Sequence, residues 1–107
     1  MKVKEANAVY TGGGIWIFYG ETDDGNFFLT DDYGATQILN ANPGDDFEEA
    51  CFYEWQQEHF VSELHNEERI KFCYEILDYL LANPNHDGGM TEFEIDTYRT
   101  WFCIEAY

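Results

Sequence analysis

Residues 15–30 of this chain read IWIFYGETDDGNFFLT, and this stretch decides the fold. It contains two apolar runs, 15–20 and 27–30, which are rich in the aromatic and β-branched side chains that strands favour. Strand alternation places Trp16 and Phe18 on the same face of the first run. Asp24-Gly25 lies between the runs and predicts a hairpin, because glycine tolerates the positive φ of a tight primed turn. The stretch therefore predicts the centre of an antiparallel sheet.

The flanking residues extend this sheet on both sides. Upstream, Val3 to Tyr10 predicts a strand, which the glycine run at 12–14 ends. Downstream, residues 31–34 (Asp-Asp-Tyr-Gly) predict a turn, and Ala35 to Asn40 a further strand. Residues 1–41 are therefore expected to form a three- to four-stranded antiparallel meander.

The hydrophobic period becomes helical after the Asn-Pro-Gly at 42–44. Asp45 or Asp46 can cap a helix that we expect to run to about Leu64. A last helix is expected to begin near Thr91. Between them, apolar residues at helical spacing predict a second helix. These apolar residues are Ile70, Cys73, Leu77, Leu80 and Leu81.

Strands followed by helices indicate the α+β class, with about three helices packed on one face of the sheet. The length of 107 residues suits a single domain over 1–107, with a β-sheet part at 1–41 and a helical part at 45–107. A fraction of 19% aromatic residues argues against disorder despite a formal net charge of −17.

Between Lys4 and Arg69 the chain has no Lys or Arg but carries fifteen carboxylates. A block of one sign is costly, because its charges repel each other and oppose compaction. The simplest explanation is a basic partner, and strongly basic surfaces are most often built to hold nucleic acid. The candidate partner-binding residues are Asp23, Asp24, Asp31, Asp32, Asp45, Asp46, Glu48, Glu49, Glu54 and Glu58. Nearby Phe52, Tyr53 and Trp55 could add aromatic anchors.

In character, these acidic clusters and the small, aromatic-rich chain resemble anti-defence proteins of phages and mobile elements. That group includes acidic anti-CRISPR proteins and anti-restriction DNA mimics. The resemblance implies a stoichiometric nuclease inhibitor that occupies a DNA- or RNA-binding groove, such as the site where a CRISPR nuclease reads its short duplex motif with arginines. It also implies action inside a bacterial host cell.

The acidic block is compatible with three further interpretations. The carboxylates could form a merely solvated face, or reflect adaptation to high salt. An immunity- or antitoxin-type inhibitor of a toxin nuclease would need the same charge, and only the identity of the partner separates it from the first hypothesis.

Residues 83–94 resemble an EF-hand calcium loop, with Gly88 at the sharp turn. Only two of the ligand positions, Asp87 and Glu94, are carboxylates, so we expect weak calcium binding at most, and a calcium-responsive interaction module is a further alternative. Thr91 and Glu94 also form a capping box that would begin the last helix without a metal. The ligands would be Asn83, Asn85, Asp87, Thr91 and Glu94.

Several function classes find little support in the sequence. The one serine, Ser62, lies inside a helical pattern, and the three histidines have no metal-ligand spacing, so we expect no enzyme. Five Lys and Arg residues argue against direct nucleic-acid binding. The longest apolar run, Ile15 to Tyr19, is too short to cross a membrane. Three cysteines at wide spacing indicate no disulfide framework, and we expect a cytoplasmic, reduced protein.

Overall fold

A five-stranded antiparallel sheet is the frame of the α+β fold in the computed structural model, which describes residues 1–13, 15–40, 53–83 and 90–105. Neighbouring strands follow one another in sequence, in the order β1-β2-β3-β4-β5. The meander predicted for residues 1–41 is present as four of these strands. The five strands are β1 Val3–Gly12, β2 Ile15–Thr22, β3 Phe27–Thr30, β4 Thr36–Leu39 and β5 Phe60–Glu63.

The two connections on either side of β3 are built on glycines with positive φ. Gly25 has a φ of 84° and donates its amide to the Thr22 carbonyl at 3.1 Å. This connection spans four residues, 23–26, and is therefore longer than the tight primed turn that Asp24-Gly25 suggested. Gly34, with a φ of 85°, closes the second turn by donating to the Asp31 carbonyl at 3.0 Å.

The fifth strand is a correction to the helix that we expected to run to about Leu64. Helix α1 covers Tyr53–His59 only, and the chain then continues as β5. β5 pairs with β4, with Ser62 opposite Ile38 and Glu63 opposite Gln37. The open edge of β4 offers backbone hydrogen bonds to this segment, and no local pattern in the sequence reveals that tertiary pairing.

Two longer helices follow β5, namely α2 Asn66–Ala82 and α3 Glu92–Glu105. The buried face of α2 differs from the predicted apolar stripe, since Leu81 is 43% exposed. Ile70 and Leu81 lie about a quarter turn from the centre of the buried face at 100° per residue. The buried side chains of α2 are Phe72, Cys73, Ile76, Leu77 and Leu80.

Edge-to-face aromatic pairs join α2 and α3 to one face of the sheet. Phe28 of β3 meets Phe72 of α2 at a ring-centroid distance of 5.0 Å and an interplanar angle of 87°. Phe18 of β2 meets Tyr98 and Phe102 of α3 at 5.3 and 5.6 Å. Such pairs add to the free energy gained from burial alone. These contacts make the face that carries Phe18 and Phe28 the main core of the protein.

Helix α1 contacts the opposite face of the sheet. The side-chain amide of Gln56 donates a hydrogen bond to the side-chain oxygen Oε1 of Gln37. Gln37 alternates with the core-facing residues of β4, Thr36 and Ile38, so its side chain leaves the sheet on the other side. The expectation that all three helices share one face is therefore met by α2 and α3 but not by α1.

A buried polar network holds the β3–β4 turn against α2. The Thr30 and Thr36 hydroxyls lie 2.8 Å apart, and Thr36 donates to the Gly34 carbonyl at 3.1 Å. The Cys73 thiol also donates to this carbonyl, at 3.4 Å. Burial raises the pKa of Cys73 to about 11, so the thiol stays protonated at neutral pH. Cys73 is a free, buried cysteine.

Gly20 of β2 pairs with Ala6 of β1 at a position where the surrounding atoms leave no room for a side chain. A Cβ at this position would overlap the Glu5 carbonyl oxygen and lie 2.8 Å from Phe28 Cε2. The Ala6 Cα would be 2.9 Å away. No L-side chain therefore fits without separating the two strands.

Gly20→Ala is expected to lower the free energy of unfolding by about 2–3 kcal/mol, because overpacking forces the backbone to shift. Urea titration followed by circular dichroism measures this change. Gly25→Ala is the matched control: a Cβ there meets nothing within 4 Å, so only the strain of its φ of 84° is added. Equal losses in the two variants would contradict the close approach at Gly20.

Candidate protein-binding surface

The two acidic turns of the sheet lie at opposite ends of β3. Asp23 and Asp24 belong to the connection between β2 and β3, and Asp31 and Asp32 follow β3. The four residues of β3 at roughly 3.3 Å each separate the pairs by at least about 13 Å. That separation matches the rise of about four base pairs of duplex DNA. The structure therefore spaces these predicted residues along the sheet and does not gather them in one cluster.

One carboxylate of each pair accepts hydrogen bonds from backbone amides. Asp23 accepts a hydrogen bond from the Lys2 backbone amide at 2.8 Å. Asp31 accepts from the amides of Tyr33 and Ala35 at 2.9 and 3.0 Å. The N-terminal segment thus holds Asp23 and the turn itself holds Asp31, while the adjacent aspartate of each pair makes no such backbone bond within the described part of the chain.

A third acidic group lies where β5 meets α2. Glu63 is exposed at the end of β5, and Glu67 and Glu68 are exposed in the first turn of α2. β5 runs antiparallel to β4, which brings these residues to the end of the sheet that carries Asp31. The sequence pattern does not single out this group, because it follows from the strand that the sequence predicts as helix.

An open cleft of about 610 Å³ separates the β3–β4 turn from the β5–α2 junction. Asp31, Glu63 and Arg69 of α2 all line this cleft. The Arg69 guanidinium donates to the Tyr33 carbonyl at 3.2 Å, so this cation stabilises the turn. Further polar side chains that line the cleft are Gln37, Gln56, His65 and Asn66.

Few carboxylates in the described residues are neutralised by ion pairs. Arg99 binds Asp78 at 2.6 Å, Lys4 lies 3.7 Å from Glu21, and the Met1 amino group lies 4.0 Å from Asp24. The remaining exposed carboxylates form no ion pair within residues 1–13, 15–40, 53–83 and 90–105. They include Glu5, Glu58, Glu63, Glu67, Glu68, Glu92 and Asp96. The result is a strongly negative field over the described surface.

The rest of the predicted partner-binding set is described only in part. Glu58 is exposed on α1, and the backbone of Glu54 lies one turn earlier in the same helix. The side chain of Glu54 lies outside the description, as do those of the proposed anchors Tyr53 and Trp55. Five further predicted residues lie wholly outside the described residues: Asp45, Asp46, Glu48, Glu49 and Phe52.

Glu94, the last ligand of the predicted calcium loop, is engaged in two different contacts. One of its oxygens accepts hydrogen bonds from the Thr91 amide and hydroxyl at 3.1 and 3.0 Å. The Glu94 amide in turn bonds the Thr91 hydroxyl at 3.2 Å, which completes the predicted capping box. The second carboxylate oxygen accepts the Trp16 indole N–H at 2.7 Å.

These contacts compete with calcium for Glu94, because both carboxylate oxygens already have donors. Asn83 donates its side-chain amide to the Tyr79 carbonyl at 2.8 Å, whereas Asn85 and Asp87 lie outside the described residues. Within the part of the chain that is described, no group of three His, Cys, Asp or Glu side chains could hold a metal ion. The calcium site remains a prediction.

Two further expectations concern catalysis and membranes. Ser62, which the sequence places in a helix, lies on the exposed edge strand β5. The one described cysteine side chain, Cys73, is a buried, protonated thiol and so a poor nucleophile. In the four described segments, no helix combines the length and apolar character needed to span a membrane.

Glu94→Gln is expected to lower the free energy of unfolding by about 1 kcal/mol at pH 7. A glutamine side chain has one acceptor oxygen, so either Thr91 or the Trp16 indole loses its partner. The Thr91 amide bond is the main cause that lowers the pKa of Glu94 from its ordinary 4.5. The carboxylate therefore stabilises the fold fully above pH 4.5, and this stabilisation is lost as the pH falls through the lower, folded-state pKa.

Urea unfolding of the wild type and of Glu94→Gln between pH 7 and pH 3 measures the difference between their free energies of unfolding. This difference should become smaller as the pH falls. Glu92→Gln is the matched control, since Glu92 lies in the same first turn and its carboxylate makes no hydrogen bond within the described residues. A difference that stays constant with pH would show that the Glu94 charge does not contribute.

No protein-family model, curated protein or solved structure matches this chain. Its function must therefore be inferred from the surface itself.

Proposed function

We propose that this protein is a stoichiometric inhibitor of a basic, nucleic-acid-binding protein, in particular a nuclease. The observation that carries the proposal is the excess of exposed carboxylates over ion pairs. The full chain has 22 Asp and Glu residues against five Lys and Arg. Of those five, Arg99 and Lys4 pair with carboxylates, and Arg69 donates to the carbonyl of a turn. Little positive charge remains to balance the surface.

The mechanism is competitive occlusion of a groove that otherwise holds DNA or guide RNA. The acidic turns at either end of β3 and the group at the β5–α2 junction offer carboxylates over a length comparable to several base pairs. Lysines and arginines of the groove pair with them in place of phosphates. Complementary charge steers the encounter, so association is fast and weakens as salt screens charges beyond roughly 8–10 Å.

Asp23 and Asp31 also favour binding in this mechanism, because backbone amides hold their carboxylates in fixed positions. A charge that is already ordered loses little side-chain freedom when a partner binds. Anti-CRISPR activity and inhibition of a toxin nuclease both use this mechanism, and the identity of the bound protein distinguishes them.

The test is capture from a host-cell lysate on the tagged protein, followed by elution with duplex DNA. Displacement by DNA is expected, because a mimic and the nucleic acid compete for one groove. The eluted proteins are identified by mass spectrometry and assayed for nuclease activity with and without the inhibitor. Proteins that are held through both DNA and high salt would contradict charge mimicry.

Two variants with the same net charge distinguish the effect of the carboxylate positions on binding from the effect of the total charge. Asp24→Asn, Asp32→Asn, Glu67→Gln and Glu68→Gln together remove four negative charges, from −17 to −13. The matched control adds four lysines at exposed, uncharged positions and also reaches −13. Its changes are Asn40→Lys, Ser62→Lys, Ala82→Lys and Thr100→Lys.

We expect the first variant to bind the captured protein about thirtyfold more weakly, at roughly 0.5 kcal/mol for each exposed pair. The control should lose much less affinity, because its carboxylates are intact. Equal losses would mean that net charge alone acts, and the specific acidic positions would be rejected. Isothermal titration calorimetry at two salt concentrations gives both affinities.

A further inference from the structure

Strand β2 is apolar on both of its faces, although α2 and α3 pack on only one of them. Trp16 and Phe18 belong to the main core. Ile15, Ile17 and Tyr19 alternate with them, so their side chains leave the sheet on the opposite face, which we call the second face. A strand with one solvated face normally alternates apolar with polar residues. The apolar pattern of β2 therefore indicates that both faces of this strand are to be covered.

The register of β1 and β2 places three aliphatic side chains of the second face next to one another. Val9 lies opposite Ile17 in the β1–β2 ladder, at a Cα separation of about 5 Å. Ile15 comes two residues before Ile17 on the same strand and therefore on the same face. Tyr19 is buried on this face and Ile17 is half-buried, but Val9 and Ile15 are each 41% exposed. We refer to Val9, Ile15 and Ile17 as the aliphatic patch.

The open cleft of about 610 Å³ adjoins the aliphatic patch on the second face. Leu29 pairs with Tyr19, so it is a diagonal neighbour of Ile17, which comes two residues before Tyr19 on β2. Leu29 also lines the cleft, together with Gln37 and Glu63, which follow it in a row across β4 and β5. The patch and the cleft therefore form one surface, which extends from β1 to β5 over roughly 19 Å.

Two carboxylates make the cleft end of this surface negative. Asp31 and Glu63 both line the cleft, and neither forms an ion pair with a described residue. Arg69 lines the same cleft, but its guanidinium donates to the Tyr33 carbonyl at 3.2 Å. The surface thus offers an apolar contact at β1 and β2 and acceptors for a cation at β3 and β5.

We propose that this surface binds an amphipathic, basic helix of the partner, an inference that rests on the proposed function. The apolar side of the helix lies on the aliphatic patch, and lysines or arginines on its flank reach Asp31 and Glu63. A helix about 10 Å in diameter covers two strand spacings, which is the distance from Val9 across β2 to Leu29. The bound helix packs on the second face as α2 and α3 pack on the first, so that both faces of β2 are covered.

Charge complementarity selects a basic helix of another protein over a second copy of this chain. The two long helices of this chain, α2 and α3, each contain more Asp and Glu than Lys and Arg. A second copy would therefore bring more carboxylates than cations to the cleft, and each copy has a net charge of −17. A basic amphipathic helix satisfies both the aliphatic patch and the carboxylates of the cleft.

The experiment compares two synthetic peptides of leucine and lysine in equal numbers, each about five helical turns long, by isothermal titration calorimetry with the full chain. The amphipathic peptide has its leucines on one helical face, and the permuted peptide has the same composition with the leucines spread around the helix. Because their charges are equal, a difference in affinity reports on the apolar face. The wild type is expected to bind the amphipathic peptide about tenfold more tightly.

Three variants locate this binding on the second face. Val9→Thr and Ile15→Thr keep a β-branched side chain but place a hydroxyl in the aliphatic patch. Each should weaken binding of the amphipathic peptide about fourfold and leave the permuted peptide nearly unchanged. Glu63→Gln removes a carboxylate of the cleft and should weaken binding of both peptides by about two- to fivefold.

Matched controls lie on the helices that pack against the other face. Leu81→Gln replaces an aliphatic side chain of α2 that is 43% exposed, and it should leave the preference for the amphipathic peptide unchanged. Glu92→Gln removes an exposed carboxylate of α3 and should weaken peptide binding less than Glu63→Gln does. Thermal unfolding of each variant by circular dichroism shows that the fold persists.

Equal affinity of the wild type for the two peptides, or a preference that survives both threonine variants, would overturn the inference. Concentration-dependent dimerisation in sedimentation that Ile15→Thr abolishes would also overturn it, and would assign the patch to a second copy. Capture from lysate and displacement by DNA test the proposed function separately from the peptides. If the threonine variants abolish the preference but DNA displaces no captured protein, nuclease inhibition is wrong and the helix-binding surface stands.

Discussion

The structure depends on hydrogen bonds from main-chain amides to carboxylates, which take the part that lysine and arginine have in most proteins. Asp23 accepts the Lys2 amide of the N-terminal segment, Asp31 accepts amides of its own turn, and Glu94 accepts the Thr91 amide at the start of α3. A carboxylate at such a position is stabilised without a cation, because the amide dipoles converge on it. The acidic residues therefore shape the turns and the helix start, and the same charges face the solvent. Three carboxylates of a chain with a net charge of −17 therefore contribute to its fold without a cation.

Local patterns in the sequence predict the elements whose stabilisation is local. The β2–β3 hairpin and the capping box of α3 are visible in the sequence because Asp24-Gly25 and Thr91 with Glu94 have direct backbone consequences. β5 is not visible in the sequence, because its hydrogen bonds are made with β4, which is distant along the chain. A strand of four residues also has little hydrophobic pattern of its own. The same reason applies to the candidate site. The acidic turns can be predicted from the sequence. The carboxylates at the β5–α2 junction cannot, because it is the pairing of β5 with β4 that brings them to the same end of the sheet.

The aromatic residues illustrate a second limit of sequence reasoning. Composition shows that rings are abundant but not which of them are exposed, since the same residue types fill the core. Phe18 and Phe102 are fully buried, whereas Phe93 lies in the same helix as Phe102 and is largely exposed. Only the packing of α3 on the sheet separates them.

The buried thiol of Cys73 gives the molecule an internal reporter. It lies between α2 and the β3–β4 turn, hydrogen-bonded to the Gly34 carbonyl, and its pKa of about 11 leaves it almost entirely unreactive while that interface is closed. Alkylation of Cys73, in a chain whose other two cysteines are replaced, would proceed only during openings that expose it. The labelling rate would then measure how often α2 separates from the sheet under native conditions, and whether a bound partner makes that separation rarer.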